Sequence, residues 1–133
     1  MGTESGAVLE VSLKKKKDWV TSTTRPHYGP VTGLLPDLEV SCGADWSIRG
    51  GGVDYDNGEH CGYSDIASTG TDNQYIWASS ISGTTTVHSR TDGMRSLGKQ
   101  KGGRWIVPSG DGRRVTWDVG GGVMVGKVRG ELV

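Results

Sequence analysis

Between its turn residues the chain runs in short stretches, and within them apolar and polar side chains alternate. In AVLEVSLK, Leu9, Val11 and Leu13 alternate with Glu10 and Ser12, the period of a half-buried strand. QYIWASSIS sets Tyr75, Trp77, Ser79 and Ile81 on one face and Ile76, Ala78 and Ser80 on the other. In RRVTWDV, Val115, Trp117 and Val119 share a face. Residues 38–42, 46–49 and 53–55, with TTTVHSR, RWIVP and VMVGKVRGELV, supply further candidates. GMRSLGKQKGG reads as a basic, Gly-bearing loop. No segment carries a helical period. The pattern predicts one all-β domain over 1–133, a small sandwich or barrel of about eight to nine short strands.

Composition sets how such a domain is held together. Glycine numbers 23, phenylalanine is absent, and Leu, Ile and Val total 26. That aliphatic share lies close to the roughly 20% below which chains tend to be disordered, but disorder also needs high net charge. The formal net charge here is zero. Five tryptophans and four tyrosines supply the missing burial, about 150–250 Å² each. A neutral chain is a poor partner for free nucleic acid, which favours a basic surface. The neutrality is uneven: residues 37–72 hold eight acids against Arg49 alone, and residues 88–133 hold nine basic residues against four acids. Patches of opposite sign can pair between copies. No run approaches the 18 apolar residues of a membrane span, and in MGTESGAVLEVSLKKKK the charges follow the apolar run, the reverse of a secretory signal. Lys14–Lys17 read as a solvated strand edge guarded against sheet-to-sheet association.

Residues 18–37 carry three of the four prolines, Pro26, Pro30 and Pro36. Proline removes a ladder donor, so the segment reads as an extended N-terminal arm or long loop. It also carries Trp19, Tyr28, Leu34 and Leu35, more apolar surface than a free loop shows to water. Those four are the expected partner contacts.

The stretch CGADWSIRGGGVDYDNGEHC, from Cys42 to Cys61, holds the densest polar chemistry. A bridge between the cysteines would close a loop of about 20 residues, for roughly 3 kcal/mol. Two reduced thiols fit the sequence equally well. His60 abuts Cys61, which is not zinc-ligand spacing. Asp54 and Asp56 match the first two ligand positions of a calcium loop, but Gly58 falls where the third belongs. Asn57-Gly58 instead reads as a hairpin tip, and no cofactor or essential metal is expected. The Gly50–Gly52 triplet has neither the Lys-Ser/Thr of a phosphate loop nor a following helix, so it reads as a tight bend with positive φ. His27, His60 and His88 are scattered, and only the carboxylates leave room for a glycosidase-type pair.

The order VSC-x-x-x-WSIRGGG, a polar turn, then NQYIWASSISG, across residues 40–88, resembles small Gly-rich β modules of phage tail and bacterial surface proteins. Those modules commonly end with a second Cys on the last strand, where this chain has Val87-His88-Ser89. The resemblance and the residues together lead to an expected non-enzymatic structural protein of a virion. A tailed-phage capsid decoration, head–tail or tail component fits, made in the host cytoplasm and contacting copies of itself and other virion proteins, with no membrane. A carbohydrate-binding, lectin-like module is the alternative, and a small glycoside hydrolase the third.

Overall fold

A computed structural model describes residues 2–11, 20–58, 60–103, 105–119 and 122–128. The all-β expectation holds, and the described residues form thirteen strands and two single-turn 3-10 helices. Strands β1 (Val8–Val11) and β2 (Val20–Thr24) form a two-stranded first sheet. A four-stranded second sheet follows, from β3 (Val31–Leu35), β4 (Val40–Gly43), β5 (Ser47–Gly50) and β6 (Val53–Asp56). The third sheet is also four-stranded: β7 (Tyr63–Thr69), β8 (Tyr75–Ser80), β9 (Thr84–Ser89) and β10 (Arg95–Lys101). The fourth has β11 (Ile106–Pro108), β12 (Val115–Asp118) and β13 (Val123–Gly126). Every pairing is antiparallel, and the neighbours within each sheet follow chain order. The result is a row of separate meanders, not a closed barrel.

The sheets stack on one another through apolar side chains. One cluster joins the second sheet to the third: Val40, Cys42, Ile48 and Val53 meet Tyr63, Ile66, Ile76 and Ala78. A second joins the third sheet to the fourth: Ala67, Trp77 and Val87 meet Ile106, Val115 and Trp117. Ile66 and Ala67 are neighbours in β7, and Ile76 and Trp77 neighbours in β8, so alternate residues serve alternate clusters. The third sheet is thus covered on both faces, which explains why QYIWASSIS is apolar or small on both. Full burial of a side chain such as Ile76 contributes about 1.5–3 kcal/mol. The indole Nε1–H groups of Trp77 and Trp117 donate to Thr69 Oγ1 (2.9 Å) and to the Lys101 carbonyl (3.1 Å).

Four sequence expectations are corrected. Residues 18–37 are not an arm in their described part, because β2 and β3 lie within them. Their prolines sit in the joins: Pro26 and Pro30 between β2 and β3, and Pro36 at the start of a 3-10 turn. Most of the loop expected at 93–103 is β10, an edge strand of its sheet. Six of its seven residues are exposed, so no apolar alternation marks it. Asn57-Gly58 is not a hairpin tip but part of the crossing from the second sheet to the third; β5 and β6 turn at Gly51 and Gly52. The count of eight to nine strands misses β2, β3, β7 and β10, which are polar, short or proline-flanked.

His88 in β9 is buried, with Nδ1 3.1 Å from the Met94 carbonyl and Nε2 3.1 Å from Thr86 Oγ1. Burial holds its imidazole below the ordinary value of 6.5, against the hydrogen bond to Met94. The unfolded chain therefore binds this proton at higher pH than the folded one. The associated stability is complete above pH 6.5 and is lost as pH falls through the lowered folded value. Melting temperatures should drop between pH 7.5 and 5, and a His88→Gln variant should show a shallower drop. An identical slope in both proteins would exclude His88 as its source.

Candidate interaction face

Register places the loops at two ends of the row. Val31 pairs with Gly43, Ser47 with Asp56, Tyr63 with Ser80, Thr84 with Lys101, and Asp118 with Val123. The described residues of loops 25–30, 44–46, 57–62, 81–83, 102–105 and 119–122 therefore share one end. Backbone hydrogen bonds tie them: Ala44 N–H to the Pro30 carbonyl (2.9 Å), Ile81 N–H to Gly62 (2.9 Å), and Gly103 N–H to Asp118 (2.8 Å). The opposite end carries Asp37, Glu39, Asp72, Arg90, Asp92, Asp111, Arg113 and Arg114 in its turns.

The two ends differ in chemistry. Tyr28, Trp46, Ile81, Trp105 and Val119 all lie on the first end, 40 to 96% exposed. The other exposed large hydrophobic residues lie on the fourth sheet, and among the described residues none lies on the charged end. Trp46 stacks on His60, ring centroids 4.4 Å apart and planes 14° from parallel. Both have positive φ, 70° and 53°, a costly conformation for residues other than glycine.

A buried polar network holds the first two of these loops. Asp45 Oδ1 lies 2.9 Å from His27 Nδ1 and accepts from Ser47 Oγ at 2.7 Å, while Oδ2 accepts from the Tyr28 N–H at 3.0 Å. The other imidazole nitrogen meets Ser41 Oγ at 2.7 Å. Burial opposes ionisation of Asp45, but the hydrogen bonds from Ser47, the Tyr28 amide and His27 outweigh it, and its carboxyl lies below the ordinary value. A strand residue, a strand-start residue and two loop residues are thereby locked together, which orients Tyr28 and Trp46. Asp65 does similar work further along: it accepts from the Ile106 N–H at 2.8 Å and pins the fourth sheet to the third.

The sequence-selected residues scatter. Tyr28 is on the apolar end, 96% exposed. Leu34 and Leu35 are half-buried and line a groove of about 710 Å³ between the first and second sheets, with Val8, Leu9 and Pro36; Leu35 also packs on the core. Trp19 and Glu59 lie outside the described residues, as do Lys14–Lys17. Asp54 and Asp56 both pair with Arg49 across the β5–β6 hairpin. Sequence reasoning missed Trp46, Ile81, Trp105 and Val119 because each sits next to or inside a strand candidate. Their position in turns was the available signal.

Cys42 and Cys61 are free thiols, Cys42 buried and Cys61 half-buried. Burial pushes the Cys42 thiol up to about 12, against a hydrogen bond from Thr32. A thiol reagent at pH 8 should modify about one cysteine per native chain and two after denaturation. Equal, rapid reaction of both in the native protein would contradict the burial.

No family model and no curated protein matches the chain. Solved structures do. A chain in the crystal structure of the mitotic checkpoint complex superposes with a TM-score of 0.74 at 13% identity, over 93% of this chain and 45% of that one. Sqt1 from Chaetomium thermophilum, bound to the N-terminus of the ribosomal protein L10, gives 0.67 at 13% identity, over 95% and 39%. Sqt1 solved by itself gives 0.66 at 12%, over 95% and 41%. These are WD40-like β-propellers, folds in which four-stranded sheets are arranged radially as blades. The chain has the fold of a β-propeller segment. It spans less than half the length of these three chains, and its second and third sheets are complete blades.

Proposed function

We propose that this propeller segment is a non-enzymatic protein-binding scaffold that engages its partner through the apolar loop end. The observation that carries the reading is the concentration of Tyr28, Trp46, Ile81, Trp105 and Val119 on one end, opposite a charged one. Aromatic residues are enriched where protein surfaces bind tightly. Structural neighbours of the same fold include Sqt1 with the N-terminus of a ribosomal protein bound, which supports a protein partner. Asp45 and Asp65 hold structural hydrogen bonds, and Asp54 and Asp56 are held by Arg49; this favours a scaffold over a carboxylate-based hydrolase. The sequence-based expectation of a tailed-phage structural component gives one concrete setting, in which the partner is another virion protein.

Affinity capture with the tagged chain, followed by titration with the purified partner, tests the reading. Trp46→Ala and Ile81→Ser should each weaken binding by tenfold or more while leaving the melting temperature within about 2 °C. Binding unaffected by either variant would move the site elsewhere. A shift on addition of oligosaccharides, with no protein partner, would favour the lectin-like reading.

A further inference from the structure

Asparagine is a chemically labile side chain, and most so before glycine. With no Cβ in the way, the glycine's backbone nitrogen can reach the carboxamide carbon of the residue before it. The chain has two asparagines, Asn57 and Asn73, and only Asn57 precedes a glycine. Asn57-Gly58 lies on the crossing from the second sheet to the third, with Gly58 exposed. Among the described residues nothing accepts the Gly58 N–H, and nothing lies within 4 Å of the Gly58 Cβ position. The attacking nitrogen is therefore unoccupied and has room to turn. Its target is held. Asn57 Nδ2 donates to the Cys61 carbonyl at 2.8 Å, and Oδ1 accepts from the Cys61 N–H at 3.4 Å. The Asn57 N–H in turn donates to the Trp46 carbonyl at 3.0 Å. This clamp on the main chain of Cys61 thus closes the corner where His60 stacks on Trp46.

We propose that Asn57-Gly58 is a site of spontaneous deamidation, guarded in the folded chain by the Cys61 clamp, and that its conversion opens the Trp46–His60 corner. The Gly58 nitrogen attacks Asn57 Cγ and forms a C–N bond. The bond from Cγ to Nδ2 breaks, and Nδ2 leaves as ammonia with the proton of the Gly58 N–H. Water then opens the cyclic imide. Opening at one carbonyl gives aspartate; opening at the other gives isoaspartate, whose main chain is longer by one methylene. Nothing is oxidised or reduced. Both products lose the Nδ2 donor. Aspartate sets a carboxylate oxygen against the Cys61 carbonyl, two acceptors facing each other. Isoaspartate displaces the main chain that carries His60. The effect on binding rests on the assignment of a partner to the apolar loop end; the modification and the opened corner do not.

Peptide mapping by mass spectrometry, on the chain aged at pH 8 under reducing conditions, reads the amide-to-acid mass gain at each asparagine. Asn57 should convert about tenfold faster in concentrated urea than in the native chain, the margin that two ordinary hydrogen bonds supply. Asn73, followed by Gln74, should stay intact in both. Gly58→Ala should slow conversion to about a tenth, because a Cβ shields the nitrogen. Its melting temperature should not change, since that Cβ meets nothing. Converted native chain, separated by ion exchange, should show faster hydrogen exchange at the amides of Asn57 and Cys61. No conversion in urea, equal rates with and without urea, a Gly58→Ala chain that converts as fast as its parent, or unaltered exchange after conversion would each overturn the proposal. Partner titration keeps the two assignments apart. If Trp46→Ala weakens binding but the converted chain binds in full, the corner has not opened, and this proposal falls while the binding face stands.

Discussion

Replacing Gly51 by valine should lower the melting temperature by on the order of 10 °C. Gly50, Gly51 and Gly52 have φ of 105°, 55° and 83°, and they turn β5 into β6. A β-branched residue at positive φ costs about 1–3 kcal/mol by itself. Space adds to this. A Cβ on Gly51 would fall against the carbonyl oxygen of Leu38, and one on Gly50 against that of Glu39. Backbone cannot rotate away as a side chain can, so the combined cost should reach about 3 kcal/mol or more. For a chain of this size each kcal/mol shifts the midpoint by about 3–5 °C. Gly52 is the internal control: it shares the positive φ, but nothing lies within 4 Å of its Cβ position. Gly52→Ala should therefore lose less than half as much as Gly51→Ala. Equal losses would mean that φ alone, not the Leu38 carbonyl, sets the cost. An unchanged midpoint for Gly51→Val with impaired partner binding would mean that the triplet is a recognition loop.

Asp45→Ala is the second large effect, and it joins stability to the apolar loop end. Asp45 satisfies three groups at once: the Ser47 hydroxyl, the His27 ring and the Tyr28 amide. Removing it takes a carboxylate from the buried Ser47 hydroxyl and His27 ring, at about 1–3 kcal/mol for a buried donor left short of a partner; those two stay 2.8 Å apart, and the Tyr28 amide is exposed to water. A net loss of about 3 kcal/mol is expected, larger than for truncating Tyr28, which is almost fully exposed. The sign of the pH dependence follows from the lowered folded value of Asp45. Its contribution is complete above the unfolded carboxyl value near 3.8 and disappears as pH falls through the lower folded value. The wild-type advantage over Asp45→Ala should therefore shrink in acid below pH 4. Asp45→Asn, which keeps an acceptor, should recover part of the loss at pH 7. Partner affinity should fall in Asp45→Ala even though Asp45 itself is shielded, because the loops carrying Tyr28 and Trp46 lose their anchor. Unaltered affinity would separate the network from the binding face.

The local pattern was legible wherever one face of a strand differs from the other. Val115 and Trp117, and Val53 and Tyr55, pointed to strands that exist, and the Gly50–Gly52 bend is where the sequence placed it. Alternation fails for strands whose two faces are alike. β10 is exposed almost throughout, and β7 runs Tyr63-Ser64-Asp65-Ile66-Ala67 with apolar residues sent to two different clusters. Proline misled at 18–37, because a donor missing from a join leaves the flanking ladders intact. Tertiary structure alone decided the rest. Alternation says which residues share a face, but not which face meets which, so a row of stacked blades and a two-layer sandwich look the same in one dimension. Nor could periodicity bring His27, Ser41, Asp45 and Ser47 together, since their meeting depends on how β4 and β5 pair and where the loop before β3 crosses them. The apolar loop end has the same origin: Tyr28, Trp46, Ile81, Trp105 and Val119 are far apart in sequence and become neighbours in kind because successive meanders turn at a common end.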